Sequence, residues 1–512
     1  MQIVQDTIKH GKQYFRLLND QLAKNAILKK PETKYKNQTK YSKFLGYFTK
    51  EIVAIFLLMN FAFLSAQERK MDAIYSGTPW FDQNGKIVSA HGANIIKEKN
   101  KFYFFGEAHT DTSNAFAGFN CYSSEDLYNW KFESVALPLQ KLGKLGPNRV
   151  GERVKVMKCP KTGEYVMYMH ADSITYKDQF VGYAVSKNIK GPYQFKGPVL
   201  FQGKPIKKWD MGTFQDHDGS GYILVHGGEI YKLSDDYKMV TEKVNENLTT
   251  GFESPTMLRK DNIYYLIGSN LTSWEKNDNY YYTANSLKGP WTSQGLIAPE
   301  GTLTWNSQST FVLPIQGSKE TTYMFMGDRW SFPKQASSAT YVWQPLSISG
   351  MSISMPNYKD SWQIDILSGV ASVKDNKDEI IKNTDKQIQY SGNWKHQNNE
   401  ISESKSDAKN ASFSIKFTGQ QVGLYSFVGS ENGYAKVVVT DEKGKEIVTA
   451  FVDMYSKFSM SNQVFRSPIF KKGNYTLMVS NTGERPNWSD KRKSNYGSTG
   501  YYISVNQIII RK

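Results

Sequence analysis

Ser186-Lys187-Asn188-Ile189-Lys190-Gly191-Pro192-Tyr193 returns, 98 residues on from Gly191 to Gly289, as Asn285-Ser286-Leu287-Lys288-Gly289-Pro290-Trp291. Each copy follows a short aromatic run, Tyr165-Val166-Met167-Tyr168-Met169-His170 in one case and Ile263-Tyr264-Tyr265-Leu266-Ile267-Gly268 in the other. The spacing leaves room for two units of roughly fifty residues, the size of a blade made of short strands and Gly/Pro turns. An earlier unit runs from Phe102-Tyr103-Phe104-Phe105-Gly106-Glu107 to Asn129-Trp130. Between the matched copies, Phe214-Gln215-Asp216-His217-Asp218-Gly219 leads into Tyr222-Ile223-Leu224-Val225, a strand, an Asp-Gly turn and a strand. Thr321-Thr322-Tyr323-Met324-Phe325-Met326 supplies a fifth unit, and no long helical periodicity competes. The expected fold is all-β, with a five-bladed β-propeller over residues 72–370.

The stretch from Lys374 to Lys386 is polar and breaks the pattern. Beyond it, alternating runs at 411–417, 435–439, 475–479 and 502–505 read as a separate, jelly-roll-like β-sandwich over 380–512. Its expected role is either glycan binding or structural support.

Composition narrows the function. The net charge of +16 is uneven, because residues 1–50 hold 11 Lys/Arg against 3 Asp/Glu. The remainder is modestly basic, and no nucleic-acid motif accompanies it. Ile52–Leu64 is a 13-residue apolar run followed by Ser65-Ala66-Gln67. That length suits a signal-peptide core rather than a membrane span, so residues 1–66 read as a basic extension plus signal peptide cleaved before Gln67. The long polar stretch ahead of the run implies a start further downstream. The expected destination is the periplasm or medium, as a monomer with no lasting membrane anchor. Cys121 and Cys159 cannot staple such a chain and read as buried thiols. His91, His109, His170 and His226 lack zinc spacing, and Asp216 with Asp218 makes a turn rather than a calcium loop. No metal and no cofactor are expected.

Glu253 stands before Ser254-Pro255, Glu152 before Arg153-Val154, and Asp210 before Met211. Singly, each suits a solvated strand edge. Three carboxylates at strand starts in three successive repeats would instead converge on one acidic pocket, and separated carboxyl groups of unequal pKa suit cleavage of a glycosidic bond.

These residues, together with Ala90-His91-Gly92-Ala93, Phe105-Gly106-Glu107, Asp216-His217-Asp218-Gly219, Ser307-Gln308-Ser309-Thr310, Gly327-Asp328-Arg329-Trp330 and Ala339-Thr340-Tyr341-Val342-Trp343, resemble the branch of glycoside hydrolase family 43 that holds the exo-β-1,3-galactanases. The resemblance covers residues 72–350 in order and implies a five-bladed propeller around an acidic pocket. It puts Glu253 on the general acid, Glu152 on a carboxylate at the cleavage subsite, and Asp210 on the residue that holds substrate and tunes the acid. Tyr176 falls on a subsite tyrosine, while Glu107, His91 and Trp330 fall among pocket residues that bind substrate. Most of the family has a first-blade aspartate as base. Here Ser89-Ala90-His91-Gly92-Ala93-Asn94 has none, and the galactanase branch has a glutamine where this chain has Gln308, acting as an imidic acid or placing water. Trp274, Trp305 and Trp330 could stack on sugar or pack between blades.

The expected activity is inverting release of galactose from β-1,3-galactan-type polysaccharide or oligosaccharide. An α-L-arabinofuranosidase or β-D-galactofuranosidase on the same fold, or a glycan-binding propeller without catalysis, would carry many of the same motifs.

Overall fold

A computed structural model describes residues 70–374, 377–398, 402–490 and 493–512. The signal-peptide and cleavage expectations for residues 1–67 lie outside these. Residues 68–512 cluster as one compact unit, and what is described of it is all-β. No helix among the described residues is long and apolar enough to cross a membrane.

Five antiparallel sheets follow one another along the chain. The first holds His91–Glu98, Lys101–Glu107, Gly118–Ser124 and Lys131–Pro138. The second holds Arg149–Lys158, Tyr165–Ser173, Phe180–Ser186 and Gln194–Pro198. Met211–Gln215, Gly221–Val225, Glu229–Leu233 and Val240–Asn245 make the body of the third. Glu253–Lys260, Ile263–Ser269, Tyr280–Ala284 and Thr292–Leu296 make the fourth. The fifth has Gln308–Gln316, Thr321–Arg329 and Thr340–Pro345. The aromatic runs picked out in the sequence are the second strands, buried on both faces by the sheets on either side. The matched Gly-Pro segments lie between third and fourth strands.

Each neighbouring pair of sheets shares its own apolar cluster: Phe105 and Phe119 with Val156 and Met167, then Val166 and Tyr168 with Ile223 and Val225. Leu224 and Ile230 meet Met257 and Leu266, and Leu258 and Ile267 meet Val312 and Phe325. A further cluster joins the fifth sheet to the first, through Met324, Met326, Tyr341 and Trp343 against Ala93, Ile95, Phe102 and Phe104. The series therefore returns on itself. The segment before the first sheet fastens the return, with Gly77 N–H donating to Tyr341 O at 2.6 Å and Ser76 Oγ to Trp343 O at 2.7 Å.

Beyond residue 378 lie two larger antiparallel sheets. One orders Glu379–Lys382, Gln507–Arg511, Gln421–Val428 and Met460–Arg466. The other orders Gln389–Ser391, Ser412–Gly419, Gly473–Asn481, Tyr434–Asp441 and Glu446–Asp453. Their inward residues form one core, including Ile415, Leu424, Val437, Phe465, Leu477 and Ile508. The polar stretch read as a break is partly built in: Glu379–Lys382 pairs with Gln507–Arg511, and Asp378 accepts from Arg466 Nη1 at 2.8 Å. Single-residue polarity hid this strand, because only Ile381 faces the core.

The two parts are sewn together. Phe81, ahead of the first sheet, belongs to the C-terminal core. Asp72 pairs with Arg511 at 2.8 Å, and Tyr455 OH donates to Glu275 at 2.6 Å.

Candidate active site

Four of the five first strands carry a bulge at the end that faces the cavity. The pairing shifts register between His91 and Asn94, Glu152 and Lys155, Glu253 and Thr256, and Ser309 and Phe311. Gly92, Arg153, Asp210 and Ser254 have φ of 62°, 56°, 50° and 54°. For the three non-glycine residues this left-handed backbone costs roughly 1–2 kcal/mol each. A bulge of this kind re-aims the side chain beside it. Side chains from neighbouring strands accept the N–H groups that the bulges leave unpaired. Gly92 N–H donates to Asp328 at 3.0 Å, Arg153 N–H to Glu107 at 2.7 Å, and Ser254 N–H to Asp210 at 2.6 Å. Gly92 has no alternative, since a Cβ there would lie 1.8 Å from Glu107 Oε1.

The same register sets one pair of residues per sheet at the same level: His91 with Glu107, Glu152 with His170, Glu253 with Ser269, and Gln308 with Asp328. In the third sheet His226 N–H donates to Asp210 O at 3.2 Å. Glu107, Glu152, Tyr176, Asp210, Glu253, Gln308 and Trp330 all line one cavity of about 770 Å³. His91 does not. Its Nδ1 lies 3.2 Å from Asp328, and its ring lies flat on Tyr341 at 4.3 Å, so it supports the floor from behind instead of binding substrate.

The carboxyl groups are held in opposite states. Burial first, then the Asp210 charge, pushes Glu253 up to about 8 against the pull of Arg153. It is therefore protonated near neutral pH. Burial also raises Glu152, but hydrogen bonds and charge from His170, a bond from Tyr176 and the Arg153 charge outweigh it and hold it below the ordinary value. Tyr176 OH donates to Glu152 Oε1 at 2.6 Å, and His170 Nδ1 lies 3.2 Å from Oε2. Burial disfavours the His170 cation, yet Asp172 and Glu152 on its two sides raise it to about 9. The result is a proton donor facing a fixed anion.

Gln308 is reached through Leu303–Asn306, four residues in a row with φ between 53° and 56°. Such a left-handed turn persists only when its surroundings over-determine it. Thr304 Oγ1 donates to Asn277 O at 3.1 Å, and Arg329 donates to Asn306 O at 3.1 Å and Trp305 O at 3.0 Å. The Gln308 amide is then fixed in one sense. Its oxygen accepts from Arg153 Nη2 at 2.7 Å and Trp330 Nε1 at 2.8 Å, and its nitrogen donates to Ser269 Oγ at 2.8 Å.

Arg153 is the residue that the sequence reading passed over. Its Nε lies 2.5 Å from Asp210, its guanidinium lies 5.3 Å over Trp330, and it bonds the Gln308 oxygen. One buried cation thus ties together three of the expected site residues. The only signal in sequence is its place beside Glu152, indistinguishable there from a surface arginine. Trp209 and Trp274 also line the cavity, as does Trp488, from a separate strand pair of the C-terminal part, Asn487–Ser489 with Asn495–Gly497. Trp305 does not; its Nε1 donates to Met355 O at 2.9 Å and it packs on Tyr358.

The sequence profile of glycosyl hydrolases family 43 matches residues 88–295. A structure from Bifidobacterium bifidum s17, described as a candidate exo-β-1,3-galactanase, is 38% identical; the match covers 55% of this chain and 95% of that one, with a TM-score of 0.52. The exo-β-1,3-galactanase of Phanerochaete chrysosporium in complex with galactose is 28% identical over 86% of this chain and all of that one, with a TM-score of 0.66. The exo-β-1,3-galactanase of Clostridium thermocellum is 25% identical, covering 77% and 99%, with a TM-score of 0.54. No curated protein sequence matches the chain. A neutral carboxyl and an ionised one in a shared cavity agree with these likenesses: the chain belongs to glycoside hydrolase family 43 and is a glycosidase, hydrolysing bonds between sugars.

Proposed function

We propose that this enzyme is an exported, inverting exo-glycosidase that releases galactose from the non-reducing ends of β-1,3-galactan, and that its five sheets are the blades of a five-bladed β-propeller over residues 72–370, with 380–512 a β-sandwich. The observation that carries the reading is Glu253, a carboxyl kept protonated to about pH 8 in the cavity that also holds a Gln308 amide fixed in one orientation. The Phanerochaete enzyme supports the sugar assignment, having been crystallised with galactose and, as a glutamate-to-glutamine variant, with β-1,3-galactotriose.

In this reading Glu253 gives its proton to the departing glycosidic oxygen. Glu152, ionised and braced by Tyr176 and His170, accepts hydroxyl hydrogen bonds from the sugar in the cleavage subsite. Asp210 raises the acid and anchors Arg153. Gln308 holds the attacking water. Two donors already occupy its oxygen, where an imidic acid would carry its proton, so the amide orients the water through its second N–H; the proton that the water loses on bonding the anomeric carbon passes to solvent, from which Glu253 regains its own. Trp330 and Trp209 offer ring surface to the sugar. The active species is a monomer that needs no cofactor.

The test is incubation with β-1,3-galactan and with aryl β-galactopyranoside, α-L-arabinofuranoside and β-D-galactofuranoside, followed by identification of the released sugar. Galactose from the first two is expected. Proton NMR of the first-formed sugar should show the α-anomer; β-galactose would overturn inversion, and arabinose alone would overturn the substrate. N-terminal sequencing of periplasmic or secreted protein should begin at Gln67, and a chain retaining Ile52–Leu64 would overturn export by cleavage.

A further inference from the structure

The C-terminal part has no role in the chemistry above, yet its short strand pair, Asn487–Ser489 with Asn495–Gly497, reaches the cavity. Trp488, Ser489 and Asp490 line it alongside Ser273, Trp274 and Phe332. Trp488 is anchored: its Nε1 donates to Ser273 Oγ at 3.3 Å, its ring stacks on Tyr496 at 5.6 Å, and it meets Phe332 edge-on at 6.1 Å. Asp490 accepts from Ser494 N–H at 3.0 Å and from Tyr496 OH at 3.3 Å. The Ser489 side chain between them is exposed.

Behind this wall lies a buried polar seam. Ser331 Oγ donates to Asp453 at 2.9 Å, Tyr434 OH donates to Ser331 O at 3.2 Å, and Tyr455 OH donates to Glu275 at 2.6 Å. These bonds fasten the C-terminal sheets to the two loops, around Ser273–Trp274 and Trp330–Phe332, that form the cavity's side. Glu107, Gln308 and Trp330 at the bottom are only 2–3% exposed, whereas Trp209 is 37% exposed and Ser489 is open to solvent. The C-terminal wall therefore stands at the rim.

We propose that Trp488, Ser489 and Asp490 form the subsite for the sugar on the leaving-group side of the cleaved bond, so that the C-terminal sheets select oligosaccharide over simple glycosides. The inference rests on the exo-glycosidase reading: the terminal sugar occupies the bottom with Glu253 and Gln308, and the rest of the chain must leave across the rim. An indole edge with hydroxyl and carboxylate oxygens beside it suits a pyranose, which has one apolar face and polar edges.

The experiment compares wild type with Ser489→Trp and Trp488→Phe on β-1,3-galactotriose and on an aryl β-galactoside. The serine variant crowds the rim at an exposed position; the tryptophan variant keeps the ring stack and removes the Nε1 donor. For Ser489→Trp, kcat/KM on the trisaccharide should fall about tenfold or more, chiefly through KM, while the aryl substrate changes by less than about twofold. Trp488→Phe should lower the trisaccharide value in the same sense. Equal losses on both substrates, or none on either, would overturn the proposal, with melting temperature distinguishing a folding defect; in that case Ser489→Tyr carries the same comparison. If wild type releases another terminal sugar, the galactose assignment fails by that result alone, and the same ratio measured on that sugar's oligosaccharide and aryl glycoside decides the subsite.

Discussion

The ring of five sheets and the C-terminal sheet pair solve the same packing problem under different constraints. In the C-terminal pair, strands such as Ser412–Gly419 alternate and the cluster between the sheets is apolar, with one fully buried arginine, Arg466, paired with Asp378. Among its described residues only Asn410 and Lys493 adopt left-handed backbone without being glycine. The five-sheet part places Arg153, Tyr176, Asp210, Ser254, Ser273 and the run Leu303–Asn306 in that region. These nine lie in or beside the cavity; the other six such residues of this part, Lys99, Leu127, Asn148, Gln202, Tyr237 and Asp261, do not line it. The same part buries Glu107, Arg153, Lys155, His170, Asp210 and Asp328. Burying charge is unfavourable unless it is paired, so such a centre stands only because each group is bonded to the next. The lesson is that left-handed backbone and buried charge concentrate at the cavity, while the second region contributes a largely apolar core and one wall.

The sharpest way to break that comparison is at Glu253. Glu253→Gln should lower turnover on galactan by roughly 10²–10⁴-fold, the usual worth of general acid catalysis. The loss should be smaller on aryl glycosides, whose leaving group needs little protonation. An undiminished rate on galactan would mean that the strained centre does not contain the acid. Gln308→Ala should cost about 10²-fold or more in kcat, with KM for galactotriose nearly unchanged because Glu152, Tyr176 and Asp210 still hold the sugar.

On the other side of the comparison, Phe81→Ala should cost about 3–5 kcal/mol in urea unfolding, because this residue of the five-sheet part is buried in the C-terminal core. Two separate transitions, of which only one shifts, would show that the parts unfold independently. A single transition shifted as a whole would show one cooperative unit. Tyr455→Phe removes the hydroxyl that satisfies Glu275 and should cost about 1–3 kcal/mol, with less change in kcat than either cavity variant.

How much of this was visible in the chain follows from the same contrast. The all-β class and the position of the second strands were legible, because runs such as Tyr165–His170 and Ile263–Gly268 are apolar on both faces and bounded by turn residues. Asp210 and Glu253 could be found because they stand at strand starts in successive repeats; Glu152, read the same way, is the fourth residue of Arg149–Lys158. What stayed hidden depends on partners far away in sequence. Arg153 reveals itself only through Asp210 and Gln308, 57 and 155 residues on. The resemblance put His91 among the pocket residues, and it does hold the register position that Glu152 and Glu253 hold in their sheets. The left-handed Gly92 beside it and the Asp328 carboxylate across the ring turn it away from the cavity. The strand Glu379–Lys382 was lost because one buried isoleucine among charged neighbours carries no alternating pattern. Trp488 reaches the cavity only through tertiary docking, for which spacing has no code.

The pH dependence of stability is the most direct measure of how the cavity holds its acid. Glu253 in the folded protein holds its proton up to about pH 8, against an ordinary value near 4.5. Below about pH 4.5 the group is neutral in folded and unfolded chains alike and contributes nothing. As pH rises from 4.5 to 8 the unfolded chain releases the proton while the folded one retains it, so the unfolded state gains and stability falls; above 8 the difference is constant. Glutamine has the same shape and no proton to lose. The melting temperature of Glu253→Gln minus that of wild type should therefore be near zero or slightly negative at pH 4.5, should climb steadily toward pH 8, and should level off beyond it. A difference that stays flat across this range would mean that the Glu253 carboxyl is not held neutral by its surroundings, and the cavity would then lack the proton donor on which its chemistry depends.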